Sequence, residues 1–184
     1  MASDLTTLHR MGTGDPLRRH VEAAVEGDDV AFSYLVSATQ PAVWRLCSAL
    51  GSTGVEEDLV QETYLRAIKS LAGFRFEVPF QAWLLSIARR VCADDVRRRT
   101  RARRLADRLD RFAGDGVALD HESVDHLLDA LEPDRRDAFV LTQVMGLSYE
   151  EAAEVMDCPI GTVRSRVARA RADLAASVSR TLAV

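Results

Sequence analysis

The sequence predicts an all-α protein that folds as two small helical domains joined by a flexible linker. Apolar residues recur every three or four positions over most of the chain, which is the period of a helix with one buried face. No segment alternates between apolar and polar residues over a useful strand length. Only 10 Gly and 5 Pro interrupt the 184 residues, and residues 100–123 lack a stable apolar stripe. That interval separates two periodic halves and is predicted to be the linker.

The first half is predicted to form four helices after a mobile N-terminal tail. Residues 1–16 have no periodicity and end in Gly14-Asp15-Pro16, which is typical of an unanchored terminus. Pro41 is expected to bend the second helix. Three acidic residues open the third helix, where they suit the positive end of the helix dipole. The helices are expected at residues 17–26, 30–50, 55–71 and 80–99, so the first domain is placed at 17–99.

The second half, residues 124–184, is predicted to form a second domain of four shorter helices. Ser148 and Glu151 have the S-x-x-E spacing of a capping box, so a helix should begin directly after Ser148. Gly146 should end the preceding helix, in which Phe139, Val140 and Val144 are expected to face inward. The helices are expected at residues 124–131, 134–145, 149–156 and 160–178.

The formal net charge is −4, but the charges fall into four alternating blocks. Residues 1–63 carry −6 and residues 112–159 carry −10, whereas residues 64–111 carry +8 and residues 160–184 carry +4. Because salt screens charges more than about 10 Å apart, a charged partner responds to the local blocks. Of the 24 basic residues 23 are arginine, whose planar guanidinium suits phosphates and guanine edges, although biased codon composition explains the same preference.

Several classes of protein are disfavoured by what the sequence lacks. Cys47, Cys92 and Cys158 are far apart, so they predict reduced and mostly buried thiols in a cytoplasmic protein. His121 and His126 are five positions apart, which does not fit the i, i+4 spacing of a zinc-protease helix. No apolar run approaches the roughly 18 residues that cross a bilayer. We therefore expect no catalytic residues, no metal, no cofactor and no membrane partner.

Residues 148–171 have the parts of a helix-turn-helix: a short capped helix, a tight turn and a second helix. One side of the second helix is apolar, and the other combines Arg, Ser and Thr, which suits the DNA major groove. A solvated amphipathic helix is the alternative, but four Arg occur before the first acid, Asp173. The residues expected to face DNA are Thr162, Arg164, Ser165, Arg166, Arg169 and Arg171.

A second basic surface, on the first domain, lies beside an aromatic loop. The loop at 73–79 contains Phe74, Arg75 and Phe76, and aromatic rings beside a basic groove can hold unpaired bases by stacking. Trp83 has the spacing of a core residue, and the alternative is a wedge against unpaired bases. The basic residues of the following helix that are expected at this surface are Arg89, Arg90, Arg97 and Arg98.

Three stretches, in this order, resemble the bacterial RNA polymerase sigma factors of the extracytoplasmic-function (ECF) group. DLVQETYLRA at 58–67 is similar to region 2.2 of that family. FQAWLLSIAR at 80–89, continuing to Arg98, is similar to regions 2.3 and 2.4, with Arg90 where the family often has Asn. LSYEEAA at 147–153 and GTVRSRV at 161–167, followed by Arg169-Ala170-Arg171, are similar to region 4.

The resemblance implies a role for each surface. The helix at 58–66 would bind the clamp coiled coil of the polymerase β′ subunit, with Leu59 and Leu65 expected in the core. The 73–80 loop would take a flipped base of the promoter −10 element, and the arginines of the next helix would hold −10 DNA. The helix at 160–171 would read the −35 element, with the β flap docked on region 4. The implied polymerase-binding residues are Asp58, Gln61, Glu62 and Arg66.

Two other classes of function remain as alternatives. A free-standing helix-turn-helix regulator would not need a basic, aromatic loop before the linker. An enzyme would need a nucleophile, a metal cluster or a phosphate loop. The resemblance favours an alternative sigma factor whose partners are core RNA polymerase and promoter DNA, and an anti-sigma factor is a common further partner in that family.

Overall fold

The computed structural model describes residues 15–110, residue 128 and residues 130–181. The regular elements of these residues are all helical, which confirms the all-α prediction. The predicted linker beyond residue 110, and most of the helix predicted at 124–131, lie outside the described residues. The elements are α1 (Arg18–Val25), α2 (Asp29–Leu50), α3 (Glu56–Leu71), α4 (Phe80–Asp110), α5 (Pro133–Phe139) with a π-helical turn (Val140–Val144), α6 (Tyr149–Met156) and α7 (Ile160–Thr181).

Helices α1 to α4 form one packed unit around α2. The Asp28 carboxylate caps α2 by accepting hydrogen bonds from the backbone N–H groups of Val30 (2.8 Å) and Ala31 (3.0 Å). Helix α2 continues past Pro41 without a break, and the bend expected there stays a prediction. Pro41 and Ser37, whose carbonyl loses its helical partner, are both on the exposed side, where water can hydrogen-bond to that carbonyl. The core of this unit contains Leu35, Val43, Leu46, Leu84 and Leu85, each almost fully buried.

Helix α4 is longer than the sequence predicted. It was expected to end at Arg99, with the linker from residue 100, but it continues to Asp110. Residues 100–110 contain mainly Arg, Ala, Leu and Asp and neither Gly nor Pro, so nothing in them stops a helix. The missing apolar stripe was therefore a poor indicator of a linker, because a solvated helix needs no stripe.

Helices α5, α6 and α7 form the second unit. The predicted capping box is confirmed: Ser148 Oγ accepts from Glu151 N (3.1 Å), and the Glu151 carboxylate accepts from Ser148 N (2.7 Å). Asp157 adopts a left-handed conformation (φ 51°) in the turn before α7, and Val163 and Val167 of α7 are buried. The turn and the two helices form the predicted helix-turn-helix.

A π-helical turn follows α5, where an ordinary helix was expected to continue to residue 145. The Met145 N–H donates to Val140 O, five residues back, which is π-helical bonding. The wider turn rotates the chain relative to a 3.6-residue period. Leu141 is therefore fully buried, and Val144, predicted to face inward, is 48% exposed.

The two units are packed against each other. The π turn contacts α2, and α6 contacts α4. One hydrophobic cluster runs through both units, from Leu46 and Leu84 to Val155 and Val163. The described parts of the two predicted domains therefore share a common core, which the sequence did not predict.

Candidate polymerase- and DNA-binding surfaces

The predicted polymerase-binding face of α3 is a mixture of acidic, polar and apolar side chains. Asp58 and Gln61 are exposed, whereas Arg66 Nε binds Glu62 (2.7 Å) and Arg66 Nη1 binds Asp94 of α4 (2.9 Å). The hydrogen bonds that Arg66 donates to Asp94 and Glu62 raise the pKa of Arg66 above its ordinary value. Arg66 thus joins α3 to α4, and Asp58 and Gln61 remain accessible to a partner protein.

Two apolar side chains on the same face were not predicted there. Leu65, expected in the core, is 44% exposed, and Ile68 is 49% exposed. Asp58, Gln61, Leu65 and Ile68 follow one another at steps of three and four, so they form one ridge. Exposed large apolar groups rimmed by polar residues are typical of protein-protein interfaces. The pattern that suggested burial of Leu65 could equally have indicated an interface.

The aromatic residues of loop 73–79 form a cluster with the start of α4. The Phe74 ring lies 4.8 Å from that of Phe76, 5.8 Å from that of Phe80 and 5.0 Å from that of Trp83, between centroids. Phe80 is buried, and the other three rings are partly exposed. Trp83 therefore packs against the core with part of its side chain and leaves another part accessible, so it combines features of both predicted roles.

Trp83 is the first member of a line along the solvent side of α4. Arg90, Arg97 and Arg101 follow it at steps of seven, seven and four, so the four share one face of the helix. All three arginines are exposed. The line from Trp83 to Arg97 spans 14 residues, about 21 Å at the helical rise. An aromatic cluster followed by regularly spaced cations is the arrangement that binds a single strand of nucleic acid.

Acidic residues of α4 hold part of this basic surface in place. Asp94 binds Arg97 (2.9 Å), and the pKa of Asp94 lies below its ordinary value because it accepts hydrogen bonds from Arg66 and Arg97. Asp95 is buried and binds Arg98 (2.7 Å). Burial opposes ionisation of Asp95, but a hydrogen bond with Ser52 and the charges of Arg99 and Arg98 still lower its pKa. Arg98 is exposed and lies beside the line that contains Arg90 and Arg97.

Arg89 is separated from the other predicted −10 residues. Its Nη1 lies 2.9 Å from Asp137 Oδ2 of α5, and the two side chains are only 19% and 14% exposed. Burial raises the pKa of Asp137 above its ordinary value, and the hydrogen bond and charge of Arg89 act in the opposite direction. The guanidinium thus faces the second unit and not the line on α4.

The predicted −35 residues are distributed over three sides of α7. Ser165 and Arg169 project outward, opposite the buried Val163 and Val167. Arg164 lies with its Cζ 5.8 Å from the Tyr149 ring centroid, and Arg171 donates to Gln143 Oε1 (2.7 Å). On the opposite flank Thr162 is partly buried, and Arg166 binds Asp134 of α5 and Cys158 Sγ (3.6 Å). The outer face therefore has Arg169 at its centre, with Arg164 and Arg171 along one edge.

Other kinds of site are sparse in the described part of the chain. No group of three or more His, Cys, Asp or Glu side chains there could hold a metal ion. Among the same residues, no helix combines the length and the apolar character needed to cross a membrane.

Two sigma-factor family models match the chain. The model described as Sigma-70 region 2 matches residues 35–102, and the model described as Sigma-70, region 4 matches residues 121–174. The first match covers α3, the aromatic loop and most of α4, and the second covers the helix-turn-helix.

Curated relatives are similar over most of their length. The ECF RNA polymerase sigma factor SigC of Mycobacterium tuberculosis is 42% identical over 158 residues, covering 81% of this chain and 84% of the relative. The ECF RNA polymerase sigma-E factor of Escherichia coli K12 is 33% identical over 168 residues, covering 82% and 88%.

Solved structures of two other proteins have a similar fold. CnrH, in its complex with the cytosolic domain of CnrY, superposes with a TM-score of 0.69 at 30% identity, covering 89% of this chain and 97% of that one. The sigma factor RpoE of Bartonella quintana, in complex with the anti-sigma factor NepR, superposes with a TM-score of 0.60 at 30% identity, covering 78% and 93%.

Proposed function

The chain belongs to the ECF group of RNA polymerase sigma factors, and from this premise we propose how its surfaces divide the work of promoter recognition. As an alternative sigma factor, it binds core RNA polymerase and directs promoter recognition and transcription initiation. We propose that residues 17–99 form region 2, which binds core polymerase and the −10 element, and that residues 124–184 form region 4, which binds the −35 element.

The ridge on α3 is the proposed contact with the β′ clamp. Asp58 and Gln61 supply polar contacts, and Leu65 and Ile68 supply the apolar surface that a stable interface buries at its centre. Arg66, which is committed to Glu62 and Asp94, positions α3 against α4 and is not itself the contact.

The aromatic loop and the line on α4 are the proposed −10 surface, and this arrangement is the observation that carries the proposal. A base extruded from the duplex needs a pocket that compensates for lost pairing and stacking, which the partly exposed rings of Phe74, Phe76 and Trp83 can provide. Arg90 and Arg97 then hold the phosphates of the separated strand. A regulator that binds only duplex DNA has no use for this surface.

The outer face of α7 is the proposed reader of the −35 element. Arg169 and Ser165 face the groove, and Arg164 and Arg171 reach its edge. Arg166, bound to Asp134, secures α7 to α5. We further propose that the protein acts in the cytoplasm, where core polymerase is found. Because CnrH and RpoE were solved with regulatory partners, we propose an anti-sigma factor as a further partner.

Transcription in vitro with core RNA polymerase tests this assignment. The reconstituted holoenzyme should produce promoter-specific transcripts, with permanganate-reactive thymines in the −10 region. Arg90→Ala should retain core binding but weaken binding to −10 single strands and lower the log-log salt slope by about one unit, as expected for one lost phosphate contact.

Arg19→Ala is the matched control, since Arg19 is an exposed arginine on α1, outside every proposed surface. It should behave like the wild type. Absence of specific transcripts over a broad set of promoters, together with no association with core polymerase, would overturn the proposal. An unchanged salt slope for Arg90→Ala would remove the line on α4 from the −10 surface.

A further inference from the structure

Asp15, which the sequence assigned to a mobile tail, contacts the start of α4, and Arg18 contacts the aromatic loop. Asp15 Oδ2 accepts a hydrogen bond from the backbone N–H of Phe80 (2.5 Å). The Arg18 guanidinium lies over the Phe76 ring, with Cζ 4.6 Å from the centroid. These contacts join parts of the chain about 60 residues apart, and they hold Asp15, which the sequence placed in the mobile tail.

Asp15 acts as the N-terminal cap of α4. Phe80 is the first residue of α4, and Pro79 before it has no side-chain acceptor for the free N–H groups of the first turn. No acidic residue lies in that first turn, so Asp15 supplies both an acceptor and a negative charge at the positive end of the helix. The carboxylate is itself held, because Oδ1 accepts from Leu17 N (2.9 Å).

Arg18 supports the residue with the least favourable backbone in the loop. Phe76 has φ 56°, a conformation that a bulky side chain keeps only when its surroundings hold it there. Its ring contacts Phe74, and the Arg18 guanidinium lies over it. Glu22 accepts a hydrogen bond from Arg18 Nε (2.9 Å) and so fixes the direction of the guanidinium.

We propose that Asp15 and Arg18 are positioning residues that shape the base-capturing loop before DNA arrives. They precede residue 35, where the match to sigma-70 region 2 begins, so that match does not include them. A loop already held in its binding conformation loses less conformational freedom when a base enters, which strengthens capture and sharpens the choice of base. The inference rests on the proposed function of the loop.

Base preference at the captured position is the measurement that tests this inference. Holoenzyme is bound to forked promoter DNA whose unpaired non-template strand carries each of the four bases, in turn, at every −10 position. The ratio between the best and worst base is unaffected by the fraction of active protein, so loss of folded protein alone does not change it. Asp15→Ala and Arg18→Ala should each reduce that ratio by about two- to fivefold.

Three further variants serve as controls for the positioning role of Asp15 and Arg18. Arg19→Ala removes the same charge from the neighbouring residue and should leave the ratio unchanged. Asp15→Asn keeps an oxygen acceptor, and Arg18→Lys keeps a cation that can lie over the Phe76 ring, so each should recover part of the preference. A wild-type ratio for both Asp15→Ala and Arg18→Ala would overturn the positioning role. No preference at any position in the wild-type holoenzyme would instead contradict the proposed function of the loop.

Discussion

The ion pair between Arg89 and Asp137 shows how burial changes the value of a charge. The pKa of Asp137 is raised, so the cost of removing its carboxylate from water exceeds the benefit that it receives from Arg89. A buried pair of this kind contributes little net stability, yet removing one partner leaves the other charge buried and uncompensated. Arg89 Nε already lacks a hydrogen-bond partner among the described residues. The two residues should therefore respond very differently to substitution.

Arg89→Ala is expected to lower the free energy of unfolding by up to about 3 kcal/mol, because the Asp137 carboxylate stays buried without its cation. Asp137→Asn should cost less than about 1 kcal/mol, because the neutral amide oxygen still accepts from Arg89 and costs less to bury than a carboxylate. The sign of the pH dependence follows from the raised pKa. Asp137 binds a proton more readily in the folded protein, so its contribution is fully present below its ordinary pKa of about 4 and is lost as the pH rises through the folded-state value. Denaturant unfolding at several pH values should show the wild type losing stability relative to Asp137→Asn as the pH rises. An equal cost of both substitutions, or the opposite pH trend, would contradict this account.

At the scale of a single helix, α7 separates arginines that maintain the fold from arginines that face outward. Arg166 is partly buried and bound to Asp134, whereas Arg169 is exposed on the outer face. Arg169→Ala should weaken −35 binding by about tenfold, the effect of one lost base or phosphate contact, and leave the unfolding midpoint unchanged. Arg166→Ala should weaken −35 binding and should also lower the unfolding midpoint. Thermal unfolding together with binding to a −35 duplex distinguishes the two, and a drop in stability for Arg169→Ala would refute the division.

Features that depend on the local sequence of one helix could be predicted. Features that depend on the contact between two elements could not. The capping box at Ser148 and the buried face of α7 follow from local spacing, and the structure contains both. Periodicity indicates that a residue faces inward or toward a partner without distinguishing the two, which is why Leu65 was misplaced. A prediction from periodicity also assumes 3.6 residues per turn. The π turn departs from that value, so Val144, predicted to face inward, is exposed. The contact of Asp15 with Phe80 joins segments that are distant in the sequence, and the local sequence of neither segment indicates it.

At the scale of the whole molecule, the second unit covers Arg89, which the sequence predicted to contact −10 DNA. Asp137 forms an ion pair with Arg89. Arg136 Nη2 donates to Ala49 O (3.1 Å), and Arg45 Nη2 donates to Val144 O (3.0 Å) in the π turn. These polar contacts surround a hydrophobic cluster shared by both units. In this packed form the outer face of α7 and the line on α4 are accessible to DNA, whereas Arg89 is not. Contact between Arg89 and DNA therefore requires the two units to separate, and separation should add Arg89 to the −10 contacts and so tighten −10 binding by the free protein.

Arg45 offers a way to shift that equilibrium without altering any proposed DNA contact. Its guanidinium bonds to the π turn from an exposed position, so Arg45→Ala should destabilise the packed form by about 1 kcal/mol, which raises the separated population about fivefold. Hydrogen exchange of the π turn and the radius of gyration from small-angle scattering should both increase, and the free protein should bind −10 single strands more tightly. Arg19→Ala, which removes the same charge away from the interface, should change neither the hydrogen exchange nor the radius of gyration. If Arg45→Ala accelerates exchange in the π turn while −10 binding weakens or stays constant, packing of the two units does not limit access to Arg89.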